Sequence, residues 1–249
     1  MPSGKNIFKS RLKYELSKIA PKNTDINIKL KSGLQFVVRA RTMDRSVIKE
    51  VWMMDVYDKF GIRVEKGDTV IDIGAHIGVF SIYAAELSQT GKVFAFEPFI
   101  ENFKRLEHHK KINNKTNLSI YNKGVSDKTG KQTLHLSPDN NTGGHSLHLK
   151  NNSSRTVEIE TIFLPEFCAQ NKIEKIDFLK LDCEGAEFEI LNSSKEILNK
   201  VNKIIMECHP YGTHTVNEMI ALLEAHQFDV KREIAHKETG IEILYARRK

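Results

Sequence analysis

The stretch Asp68-Thr-Val-Ile-Asp-Ile-Gly-Ala-His-Ile-Gly78 decides the fold. It reads as a buried strand, a glycine turn and the opening of a helix. Roughly 25 residues beyond Asp72, Lys92-Val-Phe-Ala-Phe-Glu97 reads as a second strand that ends in an acid. A nucleotide-binding α/β layer has this arrangement for physical reasons. Glycines at the first turn let the backbone approach a ligand, and an acid at the next strand tip can hold two ribose hydroxyls. The spacing is Asp-x-Gly-x-x-x-Gly, not the Gly-x-Gly-x-x-Gly of dinucleotide sites.

Outward from this stretch the chain alternates. Strands are expected near 69–73, 92–97, 117–121, 176–182, 202–208, 226–232 and 241–247, and helices near 77–88, 99–113, 162–171, 186–199 and 214–226. Such alternation implies a seven-stranded, mainly parallel sheet with helices on both faces. The last two strands are joined only by Ala235-His-Lys-Glu-Thr-Gly240 and should pair as an antiparallel hairpin. The polar segment from Val125 to Glu160 is too long for an ordinary connection and is expected to be an inserted β-hairpin or lid. Upstream, residues 5–20 read as a short basic helix stopped at Ala20-Pro21. Ile26–Leu30 and Leu34–Ala40 flank Lys31-Ser-Gly33 as a hairpin, and Val47–Phe60 has helical spacing. Residues 1–60 are therefore read as an N-terminal cap, and 61–249 as the ligand-binding domain.

The 249 residues are 40% hydrophobic, enough for one large α/β domain. The net charge of +6 is concentrated from Lys5 to Lys22, and a lysine-rich solvated surface accounts for it more simply than an anionic partner. Cys168, Cys183 and Cys208 lack Cys-x-x-Cys spacing and are read as buried thiols, not a disulfide frame or zinc site. No apolar run is long enough for a membrane span and no secretory segment stands out, so a cytoplasmic protein is expected. The sequon Asn152-Ser-Ser154 then carries no meaning, and oligomeric state is left open.

Asp72 lies in the turn itself, where a carboxylate would repel a phosphate. It suits a ligand with a positive sulfonium and an amino group, and S-adenosylmethionine is such a ligand. Asp72 and Gly74 are assigned to its methionine end, with His76 and Gly78 in the same turn and Glu97 on the ribose. In Gly124-Val-Ser-Asp127, Ser126 is a candidate for the adenine or ribose edge, with Asp127 behind it. The run Asp177-Phe-Leu-Lys-Leu-Asp-Cys-Glu-Gly-Ala-Glu187 breaks the apolar rule for a central parallel strand at Lys180. A buried ammonium needs a partner, and Asp182 and Glu184 are the candidates. In Ile204-Ile-Met-Glu-Cys-His-Pro210, Glu207 and His209 share a face and can converge with Asp182. The three read as a general base with its orienting partner or, less favoured, as ligands of a divalent cation. Gly143-Gly-His-Ser146 is a hairpin turn or a lid carrying His145 or Ser146. His108, His109 and His226 are read as surface residues.

Val70-Ile-Asp-Ile-Gly-Ala-His-Ile-Gly78, Phe96-Glu-Pro98, Gly124-Val-Ser-Asp127, Lys180-Leu-Asp-Cys-Glu-Gly-Ala-Glu187 and Met206-Glu-Cys-His209, in this order, resemble the FkbM family of S-adenosylmethionine-dependent methyltransferases. The resemblance covers roughly residues 50–210; the family often has Asn where this chain has His76. It implies the class I methyltransferase Rossmann-like fold and methylation of a hydroxyl on a sugar, a polyketide or another small metabolite. The base is expected to be Asp182 or His209, with Lys180 and Glu184 positioning the loop. The alternatives are an RNA methyltransferase, drawing on the basic N-terminus, and a catalytically silent S-adenosylmethionine-binding interaction protein. Nucleic acid is the less expected partner, because no RNA-binding module is evident. A dehydrogenase is disfavoured by Asp72 and the missing glycine.

Overall fold

The computed structural model describes residues 7–22, 24–148 and 155–249. The first residues of the expected basic helix and the Asn152-Ser-Ser154 sequon lie outside them. The cap consists of α1 (Arg11–Ile19), β1 (Asp25–Lys29), β2 (Gln35–Arg39) and α2 (Asp44–Met53). Next come β3 (Val70–Ile73), α3 (Val79–Ser88), β4 (Val93–Phe96), α4 (Ile100–Ile112) and β5 (Leu118–Tyr121). The insert region supplies β6 (Gly124–Ser126), β7 (Gly130–His135) and β8 (Thr156–Phe163). The remainder is α5 (Leu164–Gln170), β9 (Ile176–Leu181), α6 (Glu187–Ser193), α7 (Lys195–Leu198), β10 (Val201–Cys208), α8 (Val216–Ala225), β11 (Phe228–His236) and β12 (Ile241–Arg248).

The main sheet has the order β11-β12-β10-β9-β3-β4-β5. Neighbours from β10 to β5 are parallel, and β12 runs antiparallel to both β10 and β11. This is the expected seven-stranded, mainly parallel sheet, closed by a C-terminal antiparallel hairpin. Side-chain alternation sends Val70, Val93, Phe178 and Ile205 to one face, where the cap's Phe36, Val38 and Ile48 join the same core. Ile71, Phe94, Leu179 and Met206 face Phe167 of α5, Leu191 of α6 and Leu223 of α8 on the other.

Three element boundaries differ from the sequence reading. The helix expected over 47–60 begins at Asp44 and ends at Met53, because Asp55 and Phe60 turn into the left-handed region. The run over 186–199 breaks at buried Ser194 into α6 and α7. The insert is more than a hairpin: β6 pairs parallel with β8, and β7 antiparallel, giving a separate three-stranded sheet.

Candidate active site

Winding reverses between β3 and β9, so the crevice at their carboxyl ends is the switch point where open α/β sheets hold ligands. Gly74 follows β3 at φ +78°, and a Cβ there would lie 1.7 Å from the Asp182 carbonyl oxygen. Glycine at 74 is thus required by the contact of two strand tips. Gly78, at φ +84°, would push a Cβ to 2.2 Å from Leu106 Cδ1 of α4. Its role is helix packing; it does not line the cavity described below, whereas Gly74 does.

Lys180 and Asp72 are register partners on β9 and β3. Lys180 Nζ lies 3.2 Å from Asp72 Oδ1, donates to the Gly74 carbonyl at 2.8 Å and sits 3.6 Å from Asp182 Oδ2. Burial opposes the ammonium, but Asp72 and Asp182 overcome it and raise its pKa. The second Asp72 oxygen accepts from Ser81 at 2.5 Å. Fully buried, Asp72 does not line the cavity. Of the two expected partners of Lys180, Asp182 is within ion-pair range and Glu184 is not among its ion pairs, while the nearest carboxylate is Asp72, which is fully buried and braces the floor of the turn.

Glu97, just beyond β4, lines the cavity. Its two oxygens accept from the backbone N–H of His76 at 2.7 Å and of Phe99 at 2.9 Å, and burial pushes the carboxyl up. His76 takes φ +53° and lines the cavity; its Nε2 meets Thr142 Oγ1 at 3.0 Å and Asp44 Oδ1 at 3.2 Å, and its Nδ1 is buried with no hydrogen-bond partner. Asp44 was not singled out from sequence. It pairs with Arg39 at 2.8 Å and accepts from Thr142 at 2.7 Å, joining cap, glycine turn and insert. Burial opposes its charge, yet His76 and Arg39 hold the carboxyl far below the ordinary carboxylate range.

At the tips of β9 and β10, ligand-capable atoms of Asp182, Glu207 and His209 lie within 4.8 Å of one another. His209 is 3% exposed, with Nδ1 3.2 Å from Glu187 Oε1. Glu187, fully buried at the start of α6, also accepts the N–H of Cys183 at 2.8 Å and of Gly185 at 2.9 Å. Glu184 stands 3.6 Å from His209 Nε2. Burial disfavours the imidazolium, but Glu187, Glu184 and Asp182 push His209 up to about 10. Burial raises Glu207 to about 8, aided by Asp182, and Glu184 to about 7. Glu50 of α2 enters the same cavity, its carboxyl raised by burial and Asp182. Glu187 lay inside the quoted motif without a role; the signal for it was an acid placed to accept the N–H groups of the turn before its own helix.

The insert contributes differently from expectation. Ser126 is buried, donates to Glu189 at 2.5 Å and does not line the cavity, so its hydroxyl is committed to α6. His145 does line it, packed edge-on to Phe99 at 4.4 Å, and burial pushes it down to about 4. Ser146 donates to the Glu184 carbonyl at 2.5 Å. His109, read as a surface residue, is fully buried in α4 and bonded through both nitrogens, to Val37 N–H at 2.8 Å and Ile77 carbonyl at 2.7 Å.

These groups meet in a cavity of about 590 Å³, inside the range of roughly 300–1,000 Å³ usual for small-molecule sites. It runs from Glu97 and His76, past the Gly74 turn, to Asp182, Glu207 and His209. No helix among the described residues is long and apolar enough to cross a membrane. The family described as Methyltransferase FkbM domain matches residues 72–230. Hexuronic acid methyltransferase AglP of Haloferax volcanii is 28% identical over 169 residues, 65% of this chain and 67% of that protein. Methyltransferase sdnD of Sordaria araneosa is 26% identical over 220 residues, 76% of this chain and 83% of that protein. A stretch of 61 residues is 39% identical to the AMB antimetabolite synthetase AmbE of Pseudomonas aeruginosa and corresponds to only 3% of its length. Among solved structures, Aeropyrum pernix fibrillarin with bound S-adenosyl-L-methionine is similar at a TM-score of 0.48 and 10% identity, over 92% of this chain and 96% of that one. With a family match spanning more than half its length, this chain belongs to the FkbM family of S-adenosylmethionine-dependent methyltransferases.

Proposed function

We propose that the protein methylates a hydroxyl of a sugar or another small metabolite. The observation that carries this reading is the continuity of one cavity between Glu97 and the Asp182, Glu207 and His209 cluster. S-adenosylmethionine, when bound, supplies an electrophilic methyl group on a sulfonium. Glu97 would hold the ribose, with the 74–76 turn beside the methionine end and Phe96, Val125, Leu134 and Ile159 as an apolar wall. The unpaired His76 Nδ1 fits a further polar contact there.

Bound there, the sulfonium would give its methyl group to an acceptor hydroxyl and leave as the neutral thioether, and the carboxylate cluster would take the hydroxyl proton. Glu207, pushed up to about 8, has a proton affinity matched to a reaction near neutral pH. His209, held as a cation by its acids, is then a positioning residue, so Asp182 and Glu207 are the proposed bases. Alignment within the cavity can supply much of the rate, about 7–11 kcal/mol at best. The similarity to AglP, a hexuronic acid methyltransferase, supports the sugar class. The test is transfer of labelled methyl to a panel of sugar hydroxyls. Base-stable methyl ethers support the reading; base-labile methyl esters, or label entering RNA alone, would overturn it.

A further inference from the structure

The Asp182, Glu207 and His209 cluster has a second feature besides its convergence. His209 is 97% buried by its 3% exposure, and Nε2 makes no hydrogen bond; the nearest carboxylate oxygens, on Glu184 and Glu207, are 3.6 and 3.9 Å away. The other nitrogen, Nδ1, is taken by Glu187. A carboxylate accepts and does not donate, so this contact keeps a proton on Nδ1, and an arriving ion displaces the other imidazolium proton from Nε2, the nitrogen that faces the cavity. Glu187 is itself fixed by two backbone N–H groups. A carboxylate that fixes an imidazole tautomer in this way is the usual support of a metal-binding histidine.

The distances suit an ion. Bonds of about 2.0–2.2 Å place opposite ligands roughly 4.0–4.4 Å apart. The ligand atoms here lie within 4.8 Å of one another, so small side-chain movements close the set. One imidazole with two carboxylates matches first-row divalent ions better than an all-oxygen calcium cage.

We propose that Asp182, Glu207 and His209 bind a first-row divalent cation, represented by Mn2+, with coordination positions open toward the cavity. Its purpose rests on the hydroxyl-transfer reading: an alcohol oxygen bound to such a cation loses its proton more readily. With Asp182 and Glu207 engaged by the ion, the role of proton acceptor passes from them to Glu184, outside the ligand set and 3.6 Å from Nε2.

The test is Mn2+ binding to the full chain, followed by loss of the free-ion electron paramagnetic resonance signal. S-adenosylhomocysteine binding is measured in parallel by calorimetry, and circular dichroism checks the fold of each variant. The expected result is one tight Mn2+ per chain, weakened at least about tenfold in His209→Gln and Glu207→Gln, and about 10–100-fold in the positioning variant Glu187→Gln. Absence of Mn2+ binding at millimolar ion by a chain that binds S-adenosylhomocysteine would overturn the site, leaving His209 as an imidazolium that neutralises its acids. So would equal Mn2+ affinity in folded variants. Failure of S-adenosylhomocysteine to bind counts instead against the proposed function, and the Mn2+ result decides the ion site by itself.

Discussion

Lys180 Nζ and Asp72 Oδ1 lie 3.2 Å apart across adjacent parallel strands, directly beneath the turn that forms the site. Both side chains are within a few percent of full burial, so neither has water to replace its partner. Breaking a buried pair leaves one uncompensated charge, which costs about 3–5 kcal/mol. Lys180→Met is expected to lower unfolding free energy by that amount. Adding Asp72→Asn should recover part of the loss, a coupling that a double-mutant cycle in urea measures directly. Strict additivity would show that the two residues do not act as a pair.

Gly74→Ala tests the contact between strand tips. The new methyl cannot stay 1.7 Å from the Asp182 carbonyl, and the residue also needs φ +78°. The β3 and β9 tips must separate, moving Asp182. The expected outcome is a loss of stability of about 1–3 kcal/mol or more together with weaker S-adenosylhomocysteine binding. Gly33→Ala, at φ +97° with open space around the added methyl, is the control, and its cost should be confined to stability.

His109 predicts a pH dependence of stability. Burial holds its folded pKa down to about 4, whereas an unfolded chain protonates histidine near 6.5. Between these values the unfolded state binds more protons, so stability falls as pH drops through the window, by up to roughly 3 kcal/mol. His145, also down to about 4, acts in the same direction. In His109→Leu the slope of unfolding free energy against pH between 6.5 and 5 should be shallower; an unchanged slope would remove His109 from the account.

Asp44→Asn tests the bond between cap and turn. It removes the charge that pairs Arg39 and faces His76, so it should destabilise the fold by about 3 kcal/mol or more. It should also weaken cofactor affinity, because His76 carries the N–H that orients Glu97.

Much of this site was legible along single strands. Apolar runs ending in Asp72, Glu97, Asp182 and His209 mark strand tips, and tips of a parallel sheet gather at one edge. What was illegible depends on which strands are neighbours. Alternation along β9 pointed Lys180 toward acids of its own strand, whereas its first partner sits across the register on β3. Asp44 and Thr142 are 98 residues apart in the chain, and no periodicity links them. The three residues of β6 were too few to show a pattern, so the insert's third strand was hidden. His109, within the polar sequence of α4, looked solvated because Val37 and Ile77, which bind it, come from distant segments.

Glu97 and the turn beside it form the proposed binding site of the methyl donor. Calorimetric titration with S-adenosylhomocysteine, beside NAD and repeated on Glu97→Ala, tests this most directly. Binding of S-adenosylhomocysteine and not of NAD is expected, with at least a tenfold loss in the variant, about 1.4 kcal/mol or more. Equal affinity in Glu97→Ala, or preference for NAD, would contradict it.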